Sequence, residues 1–411
     1  MHIHFITGAA SALAFLSIAA QTTSAPLAPS TSESDCLHFL KMYRATHIVI
    51  FDGVACPGVE SASAILQDSG LIKVHRAVID DHTKPGWFKF TDTMLPTSEQ
   101  QYLQNPSSGV ALLLGTSGTT SKPKGVPLTQ ESIIHNGQIL ASTLGLRETD
   151  VCYSIMPLFH IGGISSSILC TLVSGGAVCC DNEAFDAENM VDALALSEPQ
   201  PTWYSAVPTI HNVTVSYIKD NANSMKLTCY GIGNQGVWEE GHSLRFIRSG
   251  AAALLGPDAK NLTTTYGNIP VYPTYSMSEQ MPISQPPLGK EDMNSDKPGS
   301  VGVPVAASMA IVDTSTLKVL PYGQEGEIAI SGPTVMKKYL SNPEADRKAF
   351  FELTFPLRGK SKFARNQYFL TGDTGTIDRE GFLTLKGRNK EMIKKGGEQV
   401  SFSGTLKFGP P

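Results

Sequence analysis

Apolar residues occur along the chain in short continuous runs, separated by longer segments with helical spacing. Residues 45–51 and 71–79 are strand-like apolar runs, and residues 58–69 between them carry apolar residues at helical intervals. Buried strands read as continuous apolar runs, whereas amphipathic helices repeat every 3.6 residues. The pattern therefore predicts strand, helix and strand in succession, which is typical of a βαβ unit in a parallel sheet.

The alternation of helices and strands continues through the middle of the chain. A helix is predicted over residues 128–144, with Thr129 as its N-cap, and another over residues 186–196. Residues 220–243 have no clean period and predict an irregular insertion. Further strands are predicted at residues 110–114, 151–156, 177–180, 202–207 and 244–249.

Period-two alternation replaces this pattern in the last third of the chain. Residues 309–330 alternate between apolar and polar positions around a turn at Pro321-Tyr322-Gly323. Such alternation is typical of antiparallel strands with one buried face. The sequence thus predicts an α/β fold in which a distorted barrel follows the parallel-sheet units.

The first 25 residues have the pattern of a targeting segment. Residues 5–20 are an apolar run, and Thr23-Ser24-Ala25 resembles a small-residue cleavage site. The run is short for a membrane span. However, no Lys or Arg precedes it, and Pro26 would follow the cut. Whether residues 1–25 act as a secretory signal therefore stays open at this point.

Composition narrows the choice of partners and compartment. The chain has 411 residues, which is enough for two or three domains, and a net charge of −5. This charge gives no reason to expect binding to nucleic acid or to an acidic membrane surface. The seven cysteines include no CxxC pair and indicate neither a zinc site nor a disulfide framework. A reduced compartment is the simpler interpretation.

One loop carries most of the candidate chemistry. Residues 114–126 read Leu-Gly-Thr-Ser-Gly-Thr-Thr-Ser-Lys-Pro-Lys-Gly-Val and follow a predicted strand. Glycines allow backbone N–H groups to turn towards an anion, and hydroxyl and ammonium groups add further donors. The loop lacks the Gly-Lys-Ser/Thr of a Walker A motif. From the residues alone, a triphosphate loop and a solvated surface loop are equal alternatives. The candidate phosphate-binding residues are Thr116, Ser117, Gly118, Thr119, Thr120, Ser121, Lys122 and Lys124.

This loop resembles the phosphate loop of the adenylate-forming superfamily, which includes acyl-CoA synthetases, firefly-type luciferases and peptide-synthetase adenylation domains. Ser121 replaces a glycine that is common there. The resemblance implies a large N-terminal domain of acyl-CoA synthetase type, with two parallel-sheet αβαβα subdomains and a distorted β-barrel. It assigns residues 36–387 to the AMP-binding (adenylation) domain, and residues 388–411 to the hinge and the start of the C-terminal domain.

Two segments resemble the parts of the family that surround the acyl group. Residues 157–163 resemble the segment whose histidine, here His160, gates the passage between the pyrophosphate side and the acyl site. Residues 249–252 resemble the segment that lines the adenine and the substrate carboxylate. Without the resemblance, His160 reads as a core histidine and the second segment as a tight turn. The residues implied in the second segment are Gly250, Ala251 and Ala252. Tyr204, Val207 and Ala251 are candidates for the acyl pocket.

Residues 275–279, Tyr-Ser-Met-Ser-Glu, resemble the family motif Tyr-Gly-x-Thr-Glu. The resemblance implies that Tyr275 stacks on adenine, that Ser278 contacts phosphate, and that Glu279 holds Mg²⁺. A carboxylate suits this role because Mg²⁺ prefers hard oxygen ligands. Without the resemblance, Glu279 reads as a solvated residue at the start of a helix.

Two later segments also match. Asp373 closes Tyr-Phe-Leu-Thr-Gly-Asp, and in the family its equivalent accepts hydrogen bonds from both ribose hydroxyls, which a carboxylate can do. In the segment from residue 387 to 398, Arg388 is placed to contact ribose or phosphate, and Lys390 lies at the interdomain hinge. Gly396 and Gly397 belong to the loop that lines the CoA channel. As a bare charge run this segment would be a solvated face.

The resemblance implies an acid–thiol ligase that uses ATP, Mg²⁺ and coenzyme A to convert a carboxylic acid to acyl-adenylate and then to acyl-CoA. Residues 274–287 are most similar to the small-acid or peroxisomal branch, which implies a cytoplasmic or peroxisomal location. The family's small C-terminal lid domain, with its catalytic lysine, has no counterpart in residues 402–411, so adenylation is expected to be impaired. A non-catalytic nucleotide-binding protein and a carrier-protein-loading domain are the alternatives.

Overall fold

The computed structural model describes residues 2–5, 8–79, 87–91, 104–116, 123–181, 185–289, 297–356, 363–388, 392–395 and 398–401. The first part of the chain contains β1 (His2–Phe5), α1 (Gly8–Gln21), β2 (Ser24–Pro26), α2 (Glu33–Tyr43), β3 (His47–Phe51), α3 (Pro57–Asp68), β4 (Lys73–Ile79), β5 (Phe88–Phe90), β6 (Val110–Thr116) and β7 (Lys124–Thr129). These strands form a seven-stranded sheet in the order β5-β4-β3-β1-β2-β6-β7. The predicted βαβ unit is confirmed, because β3 and β4 pair in parallel and α3 connects them.

The apolar run near the N-terminus is part of this sheet layer. Phe15 and Ala19 of α1 are buried in the same apolar cluster as Leu112 of β6. Ser24 and Ala25 are fully buried in β2, which pairs with β1 on one side and with β6 on the other. In the folded domain, the segment with targeting character is therefore a core helix and an inner strand. Within the part of the chain that the structure describes, no helix has the length and apolar character needed to cross a membrane.

A second sheet follows, and its strands are all parallel. Its elements are α4 (Gln130–Thr143), β8 (Val151–Ser154), α5 (Ile161–Gly163), a π-helix (Ile164–Leu169), α6 (Cys170–Val173), β9 (Ala177–Cys180), α7 (Ala187–Leu196), β10 (Trp203–Ala206), α8 (Pro208–Asp220), α9 (Met225–Cys229), β11 (Phe246–Ser249), α10 (Gly256–Thr265) and β12 (Val271–Pro273). The strand order is β12-β11-β10-β8-β9. The predicted N-cap of α4 is confirmed, because the Thr129 hydroxyl accepts from the Ser132 N–H at 3.1 Å.

Residues 220–243 are irregular over most of their length, as predicted, but they are not peripheral. Trp238 is fully buried, and its ring stacks on Tyr266 with 5.9 Å between centroids. Leu227 and Ile232 join the same apolar cluster. These side chains are spaced too unevenly to show a period, so the segment packs into the core without a pattern that sequence inspection detects.

The last part of the chain is antiparallel. It contains β13 (Tyr275–Met277), β14 (Gln280–Gln285), β15 (Val303–Pro304), β16 (Ser308–Val312), β17 (Gly326–Ser331), α11 (Pro343–Ala349), β18 (Phe350–Pro356), β19 (Phe363–Ile377), β20 (Leu383–Arg388), β21 (Met392–Lys395) and β22 (Glu398–Ser401). β16-β17-β19-β18 form one sheet that β20 joins through β19. The predicted antiparallel pairing is confirmed, with Ala310 opposite Ala329.

One apolar core connects all three parts. A single cluster of buried residues contains Leu112 from the first sheet, Ile164 from the helices over the second, and Ile283, Ile328 and Leu383 from the antiparallel strands. Burial of apolar surface is the main favourable contribution to folding. The shared cluster therefore fixes the three sheets relative to one another, and with them the loops at their edges.

Candidate active site

The carboxyl ends of the parallel strands in the second sheet converge at one edge. Ala206 at the end of β10 lies opposite Ser249 at the end of β11, and Ser249 lies opposite Pro273 at the end of β12. The segments that follow these strands therefore begin side by side. In open α/β sheets this edge is where ligands bind. Gly250 and Tyr275, which the sequence selects, both lie here.

The turn after β11 is tight for a steric reason. The Gly250 N–H donates to the Ala206 carbonyl at 3.1 Å, and the Thr274 N–H donates to the Ser249 carbonyl at 2.8 Å. A Cβ on Gly250 would lie 3.0 Å from Thr274 Oγ1. Ala251 follows with a φ of 62°, in the left-handed region, and is exposed. A side chain at position 250 would therefore be crowded by Thr274 where the chain turns out of the sheet.

Three predicted site residues form one hydrogen-bonded chain. The Tyr275 hydroxyl donates to Asp373 Oδ2 at 2.7 Å, and Arg388 Nε donates to Asp373 Oδ1 at 2.5 Å. Asp373 and Arg388 lie opposite each other on β19 and β20. Burial and the neighbouring Asp373 carboxylate raise the pKa of Tyr275 well above its usual value. The phenol therefore stays protonated and remains a donor at neutral pH.

A second group lies around Glu279. This carboxylate is 5% exposed, and the Tyr339 hydroxyl donates to its Oε1 at 2.8 Å. The ammonium of Lys124 lies 4.2 Å from the centroid of the Tyr339 ring. Burial raises the pKa of Glu279, whereas the Tyr339 hydrogen bond and the positive charges of Lys124 and Arg388 lower it. Arg388 thus acts on both groups and links them.

The candidate phosphate loop is described only at its two ends. Thr116 closes β6 and Lys124 opens β7, and the two residues lie opposite each other in the sheet. The rest of the loop lies outside the described residues, as does Lys390. The loop residues concerned are Ser117, Gly118, Thr119, Thr120, Ser121 and Lys122. Of the two described ends, the one at Lys124 lies beside the Glu279 group, because the Lys124 ammonium packs over the Tyr339 ring.

His160 and Ser278 are placed at element ends. His160 directly precedes α5, is half-buried, and packs on Phe159 with 4.6 Å between ring centroids. Ser278 lies half-buried in the turn between β13 and β14. Ala252, after the Gly250 turn, is also half-buried. The gating role of His160 and the phosphate contact of Ser278 stay predictions.

One pocket candidate, Tyr204, packs into the apolar core of the second sheet. Tyr204 is fully buried, and its hydroxyl shares a 3.3 Å hydrogen bond with His211 Nδ1. Its ring packs in the cluster that contains Trp238. Successive side chains of a strand point to opposite faces, so the next residue, Ser205, points to the other side. There the Ser205 hydroxyl accepts from Arg248 Nη1 at 3.2 Å.

Two residues of this region were not selected from the sequence. Tyr339 has no motif around it, and only the folded chain brings its hydroxyl to Glu279. Arg248 does have a detectable signature, because it is a cation inside the apolar strand β11. A charged residue in a buried strand is uncommon unless it is paired or functional.

Comparison with known proteins decides the family. The family described as AMP-binding enzyme matches residues 8–340. The chain belongs to this family. The chain is 38% identical over 301 residues, 73% of its length, to a probable CoA ligase CCL9 from Humulus lupulus. It is 37% identical over 306 residues, 74% of its length, to an oxalate–CoA ligase from Arabidopsis thaliana. It spans about half the length of these curated relatives, 51% and 52% respectively.

The solved structures agree on the fold. ATP-bound MatB from Rhodopseudomonas palustris superposes with a TM-score of 0.74 at 24% identity. The match covers 97% of this chain and 71% of the MatB chain. The predicted α/β fold class, with antiparallel barrel strands, is therefore confirmed. The second sheet is all parallel as predicted, whereas the first is mixed, because β5 and β7 pair antiparallel with β4 and β6.

Proposed function

We propose that this chain activates a carboxylic acid with MgATP and forms an acyl-adenylate, which coenzyme A then converts to acyl-CoA. The observation that carries the proposal is the pair of linked groups, Tyr275–Asp373–Arg388 and Glu279–Tyr339–Lys124. One group offers a buried carboxylate beside an aromatic ring, as a nucleoside requires. The other offers a buried carboxylate beside a lysine at the base of a Gly/Ser/Thr loop, as a metal-bound triphosphate requires.

In this proposal the first group binds the nucleoside. The two Asp373 oxygens already accept from Tyr275 and Arg388, but a carboxylate has about four acceptor positions. Asp373 can therefore also accept from both ribose hydroxyls while its neighbours hold it in place. Gly250, Ala251, Ala252 and the Tyr275 ring then flank the adenine.

Glu279 fits a magnesium ligand. It is a buried carboxylate with one oxygen held by Tyr339, and no other described Asp, Glu, His or Cys residues gather around it as a metal cluster. A single carboxylate is typical of Mg²⁺ that is held mainly by substrate phosphates and water. Bound there, the ion would neutralise charge on the triphosphate. Lys124 and the loop from Thr116 to Lys122 add the remaining donors.

The chemistry needs positioning more than proton transfer. A carboxylate oxygen of the acid attacks the α-phosphorus of ATP, the bond to the bridging oxygen breaks, and pyrophosphate leaves with the electron pair. The CoA thiolate then attacks the acyl carbon and AMP leaves. In this proposal Arg388 and Lys124 stabilise the negative charge on the phosphates, and His160 separates the acid from the pyrophosphate side, as the family resemblance implies. The Arabidopsis relative named oxalate–CoA ligase supports this class of reaction.

The test is pyrophosphate release from MgATP with a panel of short and medium carboxylic acids. We expect release that depends on one class of acid and on Mg²⁺. Glu279→Gln is expected to abolish the Mg²⁺-dependent release of pyrophosphate while ATP still binds. Glu325→Gln, at an exposed glutamate outside the site, is the matched control. Absence of ATP binding to the unchanged chain would refute the proposal.

We further propose that the protein acts in the cytosol or peroxisome, where ATP and coenzyme A are present. All seven cysteines are unpaired in the structure, as a reducing compartment favours. A fluorescent protein fused to the C-terminus, with the native N-terminus free, reports the location in cells. Fluorescence in the secretory pathway would contradict the proposal.

A further inference from the structure

Arg248 is a buried cation with unsatisfied hydrogen-bond donors. The side chain lies in β11 and the residue is 1% exposed. Its Nη1 donates to Ser205 Oγ at 3.2 Å, whereas Nε and Nη2 have no hydrogen-bond partner. No ion pair among the described residues includes it. A buried charge that lacks a counter-ion destabilises a fold, so its presence calls for an explanation.

The ionisable neighbour of Arg248 does not balance its charge. Cys170 lies close enough to interact electrostatically, but burial raises the pKa of its thiol to about 12. The thiol is therefore neutral at pH 7. Burial lowers the pKa of Arg248 itself only to about 10, so the guanidinium stays protonated. The result is a net positive charge inside the second sheet layer.

The guanidinium lies next to the Gly250 turn, in the segment whose resemblance to the family implies contact with both the adenine and the substrate carboxylate. Arg248 Nη1 is 3.8 Å from the position that a Cβ on Gly250 would occupy, and Thr274 Oγ1 is 3.0 Å from the same position. Thr274 is buried, and its hydroxyl also lacks a hydrogen-bond partner. Two polar side chains that each carry unpartnered atoms, Arg248 and Thr274, thus lie beside the glycine at the carboxyl edge of the sheet.

We propose that Arg248 binds a second acidic group of the substrate, so that the acid is a short dicarboxylic acid. This inference rests on the proposed function and names its substrate class. The free atoms, Nε and Nη2, are the two adjacent donors of the guanidinium fork, which matches the spacing of carboxylate oxygens. One carboxylate reacts with ATP, and the other accepts both N–H groups of Arg248, with Thr274 as an additional donor. Ser205 is a positioning residue that holds Nη1.

This arrangement also explains how other acids are rejected. A monocarboxylic acid of the same length would cover the guanidinium with an apolar end and leave its charge unpaired. Sites that hydrogen-bond a polar substrate group discriminate strongly against analogues that lack the group. The second acidic group must lie close to the first, because Arg248 Nη1 is only 3.8 Å from the position that a Cβ on Gly250 would occupy.

The experiment compares malonate with propionate and succinate with butyrate, which are pairs of equal chain length. Pyrophosphate release and binding of radiolabelled acid in the presence of ATP are both measured. For the unchanged protein, we expect the dicarboxylate of one pair to be favoured by about 10- to 100-fold in kcat/KM. Arg248→Met should remove this preference, because the second carboxylate loses both guanidinium donors. Arg248→Lys should lower it in part, because the fork is lost but the charge remains.

Arg379→Met, which removes an exposed arginine, is the matched control and should leave the preference unchanged. The inference is overturned if the unchanged protein prefers monocarboxylates, or if Arg248→Met retains the preference. Should no acid release pyrophosphate, the adenylation proposal fails, and acid binding still decides this inference. Binding of dicarboxylate that Arg248→Met abolishes supports the anion site, and equal binding of both acids refutes it. Circular dichroism checks that each variant is folded. If Arg248→Met does not fold, the dicarboxylate preference of Arg248→Lys decides whether the inference holds.

Discussion

At the scale of single residues, the site depends on carboxylates that are held in place before any ligand arrives. Asp373 and Glu279 are 6% and 5% exposed, and each accepts a hydrogen bond from a tyrosine of distant sequence. Hydrogen bonds to a charged acceptor are stronger than those between neutral groups. Tyr275 and Tyr339 therefore fix the direction of each carboxylate in its buried position.

The hydrogen bond from Tyr339 should set the acid side of the pH profile for MgATP binding. Burial raises the pKa of Glu279 above 4.5, and the Tyr339 hydroxyl opposes this shift. Tyr339→Phe removes the opposing hydrogen bond, so the pKa rises further and the metal-binding carboxylate is lost at higher pH. Titration of MgATP affinity from pH 4 to 8 should show the fall displaced to higher pH.

The contribution of Glu279 to folding stability changes with pH in the opposite direction to its contribution to MgATP binding. A raised pKa means that folded Glu279 holds its proton more tightly than the unfolded chain does. Its contribution is therefore present below its ordinary pKa of 4.5 and is lost as pH rises through the raised value.

Tyr322→Phe, at an exposed tyrosine, is the control for the titration of MgATP affinity. An unchanged profile in Tyr339→Phe would disprove the role given to this hydroxyl.

Asp373→Asn should weaken nucleotide binding without unfolding the domain. The amide keeps the shape but replaces one acceptor oxygen with a donor, so it cannot accept from both ribose hydroxyls and from Arg388. Loss of charged hydrogen bonds of about 1.5–3 kcal/mol predicts a decrease in ATP affinity of about 10- to 100-fold. Isothermal titration calorimetry measures it. Asp378→Asn breaks a surface ion pair with Lys297 and should leave the affinity unchanged.

Residue-level reasoning from the sequence identified the motif residues because each belongs to a contiguous pattern. It selected Tyr275, Glu279, Asp373 and Arg388, and the structure brings them together. It missed Tyr339, whose contact with Glu279 spans 60 positions and leaves no local trace. It named Tyr204 as a pocket candidate, but the structure buries Tyr204 in the core, because the strand's own sequence does not reveal which of its faces packs there.

At the scale of elements, α1 is the helix whose role the sequence leaves least determined. A run of Ala, Leu, Ile and Phe fits a targeting segment and a buried helix equally well. The following strand, Ser24–Pro26, has only three residues, and none of them favours strands. Its position between β1 and β6 comes entirely from tertiary pairing. The strands β3, β4, β8 and β10 were predictable because their apolar runs are longer and bounded by turn residues.

If α1 is a core helix of the mature protein, truncating its inward side chain should destabilise the fold. Phe15 is 1% exposed and packs in the main core. Phe15→Ala is expected to lower the free energy of unfolding by about 3–5 kcal/mol, because it leaves a cavity. Urea denaturation measures it. Leu13→Ala, at a side chain that is 38% exposed, is the control on the same helix. Equal, small effects of both substitutions would show that α1 is not part of the folded core.

At the scale of the whole molecule, the shared apolar cluster should make the described domain unfold as one unit. Leu112, Ile164, Ile283 and Leu383 come from all three sheets and lie in one cluster. If one sheet unfolded alone, the apolar surface that it shares with the other two would become exposed to water. A single unfolding transition is therefore favoured. Tryptophan fluorescence reports mainly the second sheet, through Trp203 and Trp238, whereas far-ultraviolet circular dichroism reports all three sheets. We expect coincident midpoints, and two separate midpoints would contradict a common core.

MgATP should raise both midpoints together. The proposed ligands come from β7, β13, β19 and β20, from the turn between β13 and β14, and from the turn after β11, so the nucleotide bridges the sheets. Saturation at 100 times the dissociation constant stabilises the folded state by about 2.7 kcal/mol. A rise in the circular dichroism midpoint alone would show that the nucleotide acts on the antiparallel strands only. Glu279→Gln, measured in parallel, should show a smaller rise.

The position of β2 has a consequence for the order of events during synthesis. Ser24 pairs with Leu112, so the inner strand waits for a partner that is made 88 residues later. Until β6 is available, the apolar face of α1 has nothing from that strand to pack against. Pairings between distant segments form slowly because a long loop must close first. During this interval α1 is the first apolar segment available to chaperones and targeting factors, so the speed of sheet closure sets how long the nascent chain is open to them.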